Sequence, residues 1–206
     1  LAKIMSEDLN IPLKLFSLGK EYLEMIKKPK FGYGANINPC IDCRIMIFSR
    51  AKEYMQETGA SFIVTGEVLA QRPMSQYRHT LLLIEKESGL SGFILRPLSA
   101  KLLPITIPEE KGWVSREKLL SFNGRTRRPQ IGLAKDLGIN EYPCSSGGCL
   151  LTDKGFSLRL RDLFKYSEGS LEEINLLKFG RHFRLSPKDK LVVGRNEAEN
   201  NALLNL

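Results

Sequence analysis

The sequence predicts an α/β fold in which a parallel sheet carries helices on both faces. Helical patterns alternate with short apolar runs, as they do in parallel α/β sheets. Ser61-Phe-Ile-Val-Thr65 is a short, continuous apolar run that ends at Gly66, as expected of a strand buried on both faces. A helical pattern follows at residues 76–87, and Phe93-Ile-Leu95 is the next strand candidate.

The N-terminal part combines one predicted strand with two predicted helices. Residues 11–18 alternate between apolar and polar side chains and suit a strand, whereas residues 20–27 suit a helix. The longest helix is predicted to open at Pro39, after the N-cap Asn38, and to continue to about Glu57. Its apolar residues recur every three or four positions, which is the helical period.

The C-terminal part predicts a small α+β piece. Asp153 is suited to cap a helix over residues 154–166, because its carboxylate can accept from the first free amides. Residues 183–185 and 190–193 read as two short strands and are expected to form a hairpin.

The charge of the chain favours a polyanionic partner. The 206 residues include 31 Lys and Arg against 23 Asp and Glu, which gives a net charge of +8. Such an excess suits nucleic acid or a nucleotide-bearing substrate. No apolar run approaches the ~20 residues that cross a bilayer, so we expect a cytoplasmic protein with no membrane partner.

Two of the four cysteines form a Cys-x-x-Cys pair at a predicted helix start. Cys40 and Cys43 lie one turn apart on the same helix face. The positive end of the helix dipole favours thiolates there, and thiolates are nucleophiles and metal ligands. Four cysteines are too few for a disulfide scaffold, so the pair predicts metal binding or chemistry.

The second cysteine pair, Cys144 and Cys149, follows about a hundred residues later. A zinc ribbon is disfavoured because its knuckles are usually only about 15–20 residues apart. A redox pair would leave the second pair unexplained. Cys40, Cys43 and Cys149 on one metal centre fit best, because three thiolates on a cubane cluster leave one iron open for sulfide or substrate. Cys144 is then a fourth ligand, a spare thiol or neither, and the alternative is four ordinary, half-buried cysteines.

Five stretches together resemble one family, the PP-loop ATPases that are tRNA 2-thiouridylate methyltransferase-like or tRNA 2-thiouridine synthase-like. The resemblance covers residues 11–166, and the stretches are long and in the family's order. The tail, at residues 177–187 and 193–196, is similar to the start of the small RNA-binding module related to NFACT-R. The five stretches are Asn38-Pro-Cys-Ile-Asp-Cys43, Ala60-Ser-Phe-Ile-Val-Thr-Gly-Glu67, Gln71-Arg-Pro-Met-Ser-Gln76, Leu95-Arg-Pro-Leu-Ser-Ala-Lys-Leu-Leu-Pro104 and Gly147-Gly-Cys-Leu-Leu-Thr-Asp153.

The resemblance implies a HUP-like, Rossmann-like PP-loop domain at residues 1–166 and the start of an NFACT-R-like module at 167–206. One part of the family pattern is absent from this sequence, the Ser-Gly-Gly-x-Asp-Ser phosphate loop. Ser146-Gly-Gly148 is no substitute, because Cys149 follows it. Either the loop lies outside this sequence, or this form does not hydrolyse ATP.

The resemblance implies an ATP-dependent tRNA sulfurtransferase. ATP, with Mg²⁺, adenylates a uridine carbonyl oxygen, and a persulfide or cluster-bound sulfide then displaces AMP. Cys40 and Cys149 match the catalytic positions, and Cys43 would complete a [4Fe-4S] cluster, with zinc less favoured. A donor protein or sulfide supplies the sulfur. A methyltransferase activity finds no support, because no S-adenosylmethionine-type glycine motif is visible.

The resemblance also places residues around the nucleotide. Thr65 and Gly66 lie at the strand end where the family binds nucleotide, and ligands of such sheets bind at the carboxyl ends of strands. Arg96, Ser99 and Lys101 are expected to hold phosphates.

Arg125, Arg127 and Arg128 are expected to contact tRNA phosphates, and the alternative is a solvated face. The two histidines, His79 and His182, sit among basic residues and are expected at the surface or against RNA.

Two other functions stay open at this point. One is a non-catalytic RNA- or metal-binding protein on a PP-loop scaffold, and the other is a PP-loop enzyme that acts on a small molecule. A homodimer is considered as the assembly.

Overall fold

The computed structural model describes residues 2–139 and 148–205. The chain divides into two compact units. We call Leu1–Pro39 with Pro143–Leu206 the terminal unit, and Cys40–Tyr142 the central unit. This division into compact units does not test the predicted domain boundary between residues 166 and 167, which stays a prediction.

The described residues form a mixed α/β structure that is mostly helical. No helix among them is long and apolar enough to cross a membrane. In chain order the elements are α1 (Ala2–Asp8), α2 (Lys20–Lys27), α3 (Cys40–Thr58), β1 (Ile63–Val64), α4 (Arg78–Glu87), β2 (Ile94–Leu95), α5 (Ile107–Glu110), α6 (Arg128–Asp136), α7 (Lys154–Tyr166), α8 (Leu171–Leu176), β3 (Arg181–Arg184), β4 (Lys190–Val193) and α9 (Glu197–Leu204).

The central unit is built around the parallel pair β1 and β2, in which Ile63 lies opposite Ile94. Its main core cluster contains four buried residues, Phe48 of α3, Ile84 of α4, Leu90, and Ile94 of β2. The helical period of α3 and α4 brings these apolar side chains to one face, where they cover the strands. The predicted parallel pairing of the two strands is thus confirmed.

The predicted two-sided burial of the first strand is wrong. Val64 of β1 has 59% of its surface exposed, whereas Ile94 and Leu95 of β2 are buried. Among the described strands, β1 pairs only with β2. Since β2 also pairs only with β1 in this part of the chain, the difference lies in the side chains that pack over each strand, and an apolar run alone does not reveal these.

Helix α3 begins at Cys40, one residue after the predicted start at Pro39, and ends at Thr58. Gly59 follows with φ at +68°, a conformation that glycine adopts without a Cβ clash. The amide of Ala60 then donates to the carbonyl of Met55 at 2.9 Å, which closes the helix end. The glycine that ends α3 is therefore a local signal that the sequence itself contains.

The terminal unit has a core of its own, with α7 at its centre. Phe156, Leu160 and Leu163 of α7 pack with Ile26 of α2 and with Leu177. The predicted N-cap of α7 is confirmed by its hydrogen bond, because the Asp153 carboxylate accepts from the Phe156 amide at 2.6 Å. The predicted hairpin is also confirmed as the antiparallel pair β3 and β4.

The strand predicted at residues 11–18 is wrong. Residues 11–19 have no regular secondary structure, and Leu15 has 76% of its surface exposed. Alternation marks a strand only when a neighbour accepts its backbone hydrogen bonds, and no strand of the described residues pairs with this segment.

The hairpin is attached to α7 by Asp162. Its carboxylate accepts from Arg184 of β3 at 2.7 Å and from Lys190 of β4 at 2.9 Å. The hydrogen bond from Arg184 lowers the pKa of Asp162 from 3.8 to about 2. His182 of β3 is half-buried, and this burial lowers its pKa.

Replacing Asp162 should loosen the hairpin. The lowered pKa means that the carboxylate stabilises the fold above pH 3.8 and that this contribution is lost as the pH falls towards 2. We expect Asp162→Asn to destabilise β3 and β4 by about 1 kcal/mol at neutral pH, a value discounted for partial exposure. Amide hydrogen exchange of the hairpin measures this local change.

The matched control is Asp136→Asn, which removes an exposed carboxylate from α6 that makes no ion pair in the described part of the chain. Its hairpin amides should exchange at the original rate. Equal exchange in both variants, or a hairpin protected equally at pH 2 and pH 7, would show that Asp162 is not the anchor.

Candidate active site

The Cys-x-x-Cys pair occupies the first turn of α3. Cys40 is the first residue of the helix and Cys43 the fourth, so the two lie on one face. Both are thiols and both are half-buried. No acidic residue other than Asp42 occupies that turn, and Asp42 is itself buried. The pair therefore has the position that was predicted, at a helix start.

Arg44 connects this turn to the end of β1. Its Nε lies 3.6 Å from Oε1 of Glu67, which follows β1 by three residues. Because Arg44 adjoins Cys43 in the chain, the first turn of α3 lies beside the carboxyl end of β1. The carboxyl ends of parallel strands are where α/β folds bind their ligands.

Arg96 sits at the centre of a buried ion network. It directly follows β2, and its Nε donates to Oε2 of Glu67 at 3.0 Å. Its Nη1 donates to Oε1 of Glu85 on α4. Arg96 and Glu67 are each only 3% exposed, and Glu85 is buried as well. Together with Arg44, the network balances two guanidinium groups against two carboxylates.

Two buried atoms of this network lack a hydrogen-bond partner within the described residues. They are Oε1 of Glu67, whose contact with Arg44 is longer than a hydrogen bond, and Nη2 of Arg96. Leaving a buried polar atom unsatisfied costs about 1–3 kcal/mol. Such atoms are rare in folded proteins, and they mark sites where a water or ligand completes the network.

The residues predicted to hold phosphates are already engaged. Arg96 binds two carboxylates, and Ser99 is fully buried, where its hydroxyl accepts from the Leu69 amide and donates to the Phe122 carbonyl. Lys101 is exposed and donates to the Glu117 carbonyl at 2.9 Å.

The predicted nucleotide positions at the end of β1 are more open. Thr65 is half-buried, and its hydroxyl accepts from the Glu67 amide at 3.3 Å. Gly66 is exposed, and a Cβ placed on it would meet no atom within 4 Å. Gly66 therefore leaves open space for a ligand at the end of β1.

Glu85 is the network member that the sequence did not reveal. It lies on α4 one residue after Ile84 and four after Leu81, both of which are fully buried. The sequence did contain one signal, a carboxylate within an apolar helical stripe. Such a residue faces the core, and charged residues are rarely buried without a partner. The partner, Arg96, is eleven residues away and could not be assigned from the pattern.

A cleft of about 350 Å³ opens beside this network in the central unit. Its walls come from α4, β2 and the segment 103–106, and its polar lining includes Glu85 and Arg96. The remaining lining is mainly aliphatic, with Leu81 and Ile94 among it. The volume falls within the range of small-molecule sites.

The third predicted thiol lies in the terminal unit. Cys149 is exposed and directly precedes the short 3-10 turn Leu150–Thr152. Cys144 and Gly147 fall outside the described residues. Within residues 2–139 and 148–205, no group of three or more His, Cys, Asp or Glu is arranged to hold a metal ion. The three-thiolate site, and with it the cluster, stays a prediction.

The predicted RNA contacts are all exposed. Arg125 and Arg127 precede α6, and Arg128 is its first residue. None of the three makes an ion pair within the part of the chain that the structure describes, and the first turn of α6 contains no acidic residue. Uncompensated cations at a helix N-terminus favour an anionic partner, because the helix dipole adds to their field.

Comparisons with known proteins leave the family unassigned. No protein-family model matches the chain, and neither a curated protein nor a solved structure matches it.

Breaking the ion network should destabilise the central unit. Arg96→Met leaves the buried carboxylate of Glu85 without its counter-ion and that of Glu67 with only the longer contact to Arg44, so we expect a loss of about 3–5 kcal/mol in the free energy of unfolding. Denaturant unfolding followed by fluorescence of the single tryptophan measures it, because Trp113 stacks on Phe62 within the same unit.

The matched control is Arg50→Met, which removes an exposed cation whose partner Glu53 lies one turn along α3. It should change stability by less than about 0.5 kcal/mol. The triple variant Glu67→Gln/Glu85→Gln/Arg96→Met should recover part of the loss, since it buries no unpaired charge. If Arg96→Met proved as stable as Arg50→Met, the network would not hold the unit together.

Proposed function

We propose that this protein is an ATP-dependent tRNA sulfurtransferase of the PP-loop type, which thiolates a uridine by adenylation followed by sulfur transfer. One observation carries the proposal. The thiol pair Cys40 and Cys43 lies at a helix start that Arg44 ties to the carboxyl end of a parallel strand. Nucleophilic sulfur is thus held beside the edge where α/β folds bind nucleotides.

The thiols supply the chemistry of the second step. The outer sulfur of a persulfide on Cys40, supplied by the donor protein, attacks the adenylated carbon of the uridine, and AMP leaves with the electron pair of the broken carbon–oxygen bond. A second thiolate then attacks Sγ of Cys40, which breaks the sulfur–sulfur bond, releases the thiouridine and leaves a disulfide that an external thiol reduces. Cys149 is proposed as the second catalytic thiol. This step needs no metal ion, because the persulfide supplies the sulfur.

The nucleotide half of the site is proposed at the end of β1. Thr65 and Gly66 are open there, and Lys101 carries an exposed cation. Arg96 and Ser99 are proposed as residues that shape this edge, since Arg96 binds two carboxylates through Nε and Nη1 and the Ser99 hydroxyl is bonded to the backbone. The wider Rossmann-like sheet with its phosphate loop belongs to the same proposal.

A second candidate function is favoured by the cleft of about 350 Å³ in the central unit. It is large enough for a small substrate, and Glu85 and Arg96 would orient polar groups within it. A PP-loop enzyme that adenylates a small molecule would use this cleft and would have no need for tRNA. Failure to bind tRNA in the assays below would favour this second function.

The sulfurtransferase proposal predicts that both catalytic thiols are essential. We expect Cys40→Ala and Cys149→Ala to abolish tRNA thiolation while tRNA binding is retained, because the thiols supply the sulfur and not the affinity. Mass spectrometry of the tRNA nucleosides measures the product. Thiolation that persists in both variants would overturn the proposal.

Anaerobic purification with an absorption spectrum and an iron count separates the two forms of the sulfur site. A cluster predicts a coloured protein that loses its iron in Cys43→Ala. A persulfide predicts a colourless protein in which Cys43→Ala retains part of its activity. Cys144→Ala tests the fourth thiol, since a loss of iron there would make it a ligand.

Binding of tRNA should depend on the arginines before α6. We expect the Arg125→Ala/Arg127→Ala/Arg128→Ala variant to bind tRNA more weakly and with a salt slope that is smaller by about 2–3. Fluorescence anisotropy over a series of salt concentrations measures both quantities.

The matched control is Lys3→Ala/Lys14→Ala/Lys20→Ala, which removes three exposed cations from the terminal unit. It lowers the net charge by the same amount, so unequal effects would locate the RNA surface. If the two variants weakened binding equally, net charge alone would explain it.

A further inference from the structure

A second group of exposed cationic and aromatic residues lies at the start of α4. Tyr77 precedes the helix, and Arg78 and His79 are its first two residues. Tyr77 is 44% exposed, and His79 is exposed as well. Their rings are nearly parallel, with an interplanar angle of 9° and centroids 6.1 Å apart.

The loop before α4 holds Arg72 next to this pair. The Gln76 side chain is buried, and its Oε1 accepts from the Arg72 amide at 2.8 Å. The Gln76 amide in turn donates to the Arg72 carbonyl at 3.2 Å. The backbone of Arg72 is therefore bonded to Gln76, the residue directly before Tyr77, while the Arg72 side chain is exposed.

The same loop contacts the turn that carries the other arginines. Leu69 forms a bridge with Asn123, and its carbonyl accepts from the Gly124 amide at 2.9 Å. Ala70 donates to the Gln76 carbonyl at 2.7 Å. Arg125 directly follows this turn, so the segments before α4 and before α6 lie side by side within the central unit.

These residues belong to two neighbouring segments that contain no acidic residue. Residues 68–84 and 118–135 contain no Asp or Glu. Neither Arg72 nor Arg78 makes an ion pair among the described residues, and neither α4 nor α6 has an acidic residue in its first turn. Both helix dipoles then add to the positive field. We call this the arginine–aromatic surface, and its members are Arg72, Tyr77, Arg78, His79, Arg125, Arg127 and Arg128.

The combination of charge and flat rings distinguishes between polyanions. Unpaired cations bind any phosphate chain or acidic polypeptide. Exposed aromatic faces add affinity only when the partner has a flat face to stack, which an acidic peptide lacks. Bases of a duplex are stacked on each other, whereas unpaired bases are free to stack on Tyr, His and Arg side chains.

We propose that the arginine–aromatic surface binds unpaired nucleotides of an RNA, with Tyr77 and His79 stacking on bases and Arg72 contacting the phosphate chain. The inference rests on the tRNA part of the proposed function. It adds that the protein recognises a single-stranded loop or end of the RNA, and that the residues at the start of α4 contact this element.

The test compares a short single-stranded oligoribonucleotide with the duplex of the same sequence, by fluorescence anisotropy with the full chain. The single strand should bind more tightly. Tyr77→Ala/His79→Ala should weaken single-strand binding about tenfold, because each stacked base is lost, and should leave duplex binding unchanged. Tyr77→Phe keeps the ring and should keep the affinity.

Two single substitutions, one in the loop before α4 and one in α4, test the contribution of charge to binding. Arg72→Ala should lower the salt slope of single-strand binding by about 0.7, the value for one phosphate contact. Lys86→Ala removes an exposed cation from the last turn of the helix and should leave the slope unchanged. Circular dichroism confirms that each variant is folded.

Three results would overturn the inference. They are equal affinity for single strand and duplex, unchanged affinity in Tyr77→Ala/His79→Ala, and equal competition by polyglutamate, which would indicate an acidic protein partner. The thiolation assay separates the two proposals. Absent thiolation with the expected binding pattern rejects only the proposed function, whereas intact thiolation with unaffected binding rejects only this surface.

Discussion

The buried contacts of Arg96 with Glu67 and Glu85 organise the central unit. They join the ends of β1 and β2 to α4, and Arg44 extends the network to the start of α3. Burying charges is costly, and the cost is offset only when each charge keeps its partners. The network therefore fixes the carboxyl ends of the two strands relative to the first turn of α3 and the last turn of α4.

This constraint explains why the cysteine pair lies at the sheet edge. Ile41 and Ile45, which lie two positions to either side of Cys43, pack against the core cluster of Phe48. It is Arg44, next to Cys43, that ties the turn to Glu67. The two unsatisfied atoms of the network, Oε1 of Glu67 and Nη2 of Arg96, lie at the same edge, so the polar groups there are incompletely bonded within the described residues.

The cations of the chain divide into two classes by their surroundings. Arg96 and, in the terminal unit, Arg184 are paired with carboxylates and serve the fold. Arg72, Arg125 and Arg128 are exposed and have no acidic partner among the described residues. A count of charged residues does not separate these classes, because the net charge is the same whether a cation is paired or not. The second class leaves the central unit with exposed cations that no carboxylate of the described residues neutralises.

The sequence by itself determined the local elements. Gly59 ends α3, Asp153 caps α7, and the helix-start position of Cys40 was evident, because caps and stops depend on residues a few positions apart. Only the tertiary structure decided which segments have partners. Residues 11–18 have the pattern of a strand but no neighbour, and Glu85 sits in an apolar stripe because Arg96 meets it there. Strand pairing and buried ion pairs join residues that are distant in sequence, so the local periodicity of the sequence does not reveal them.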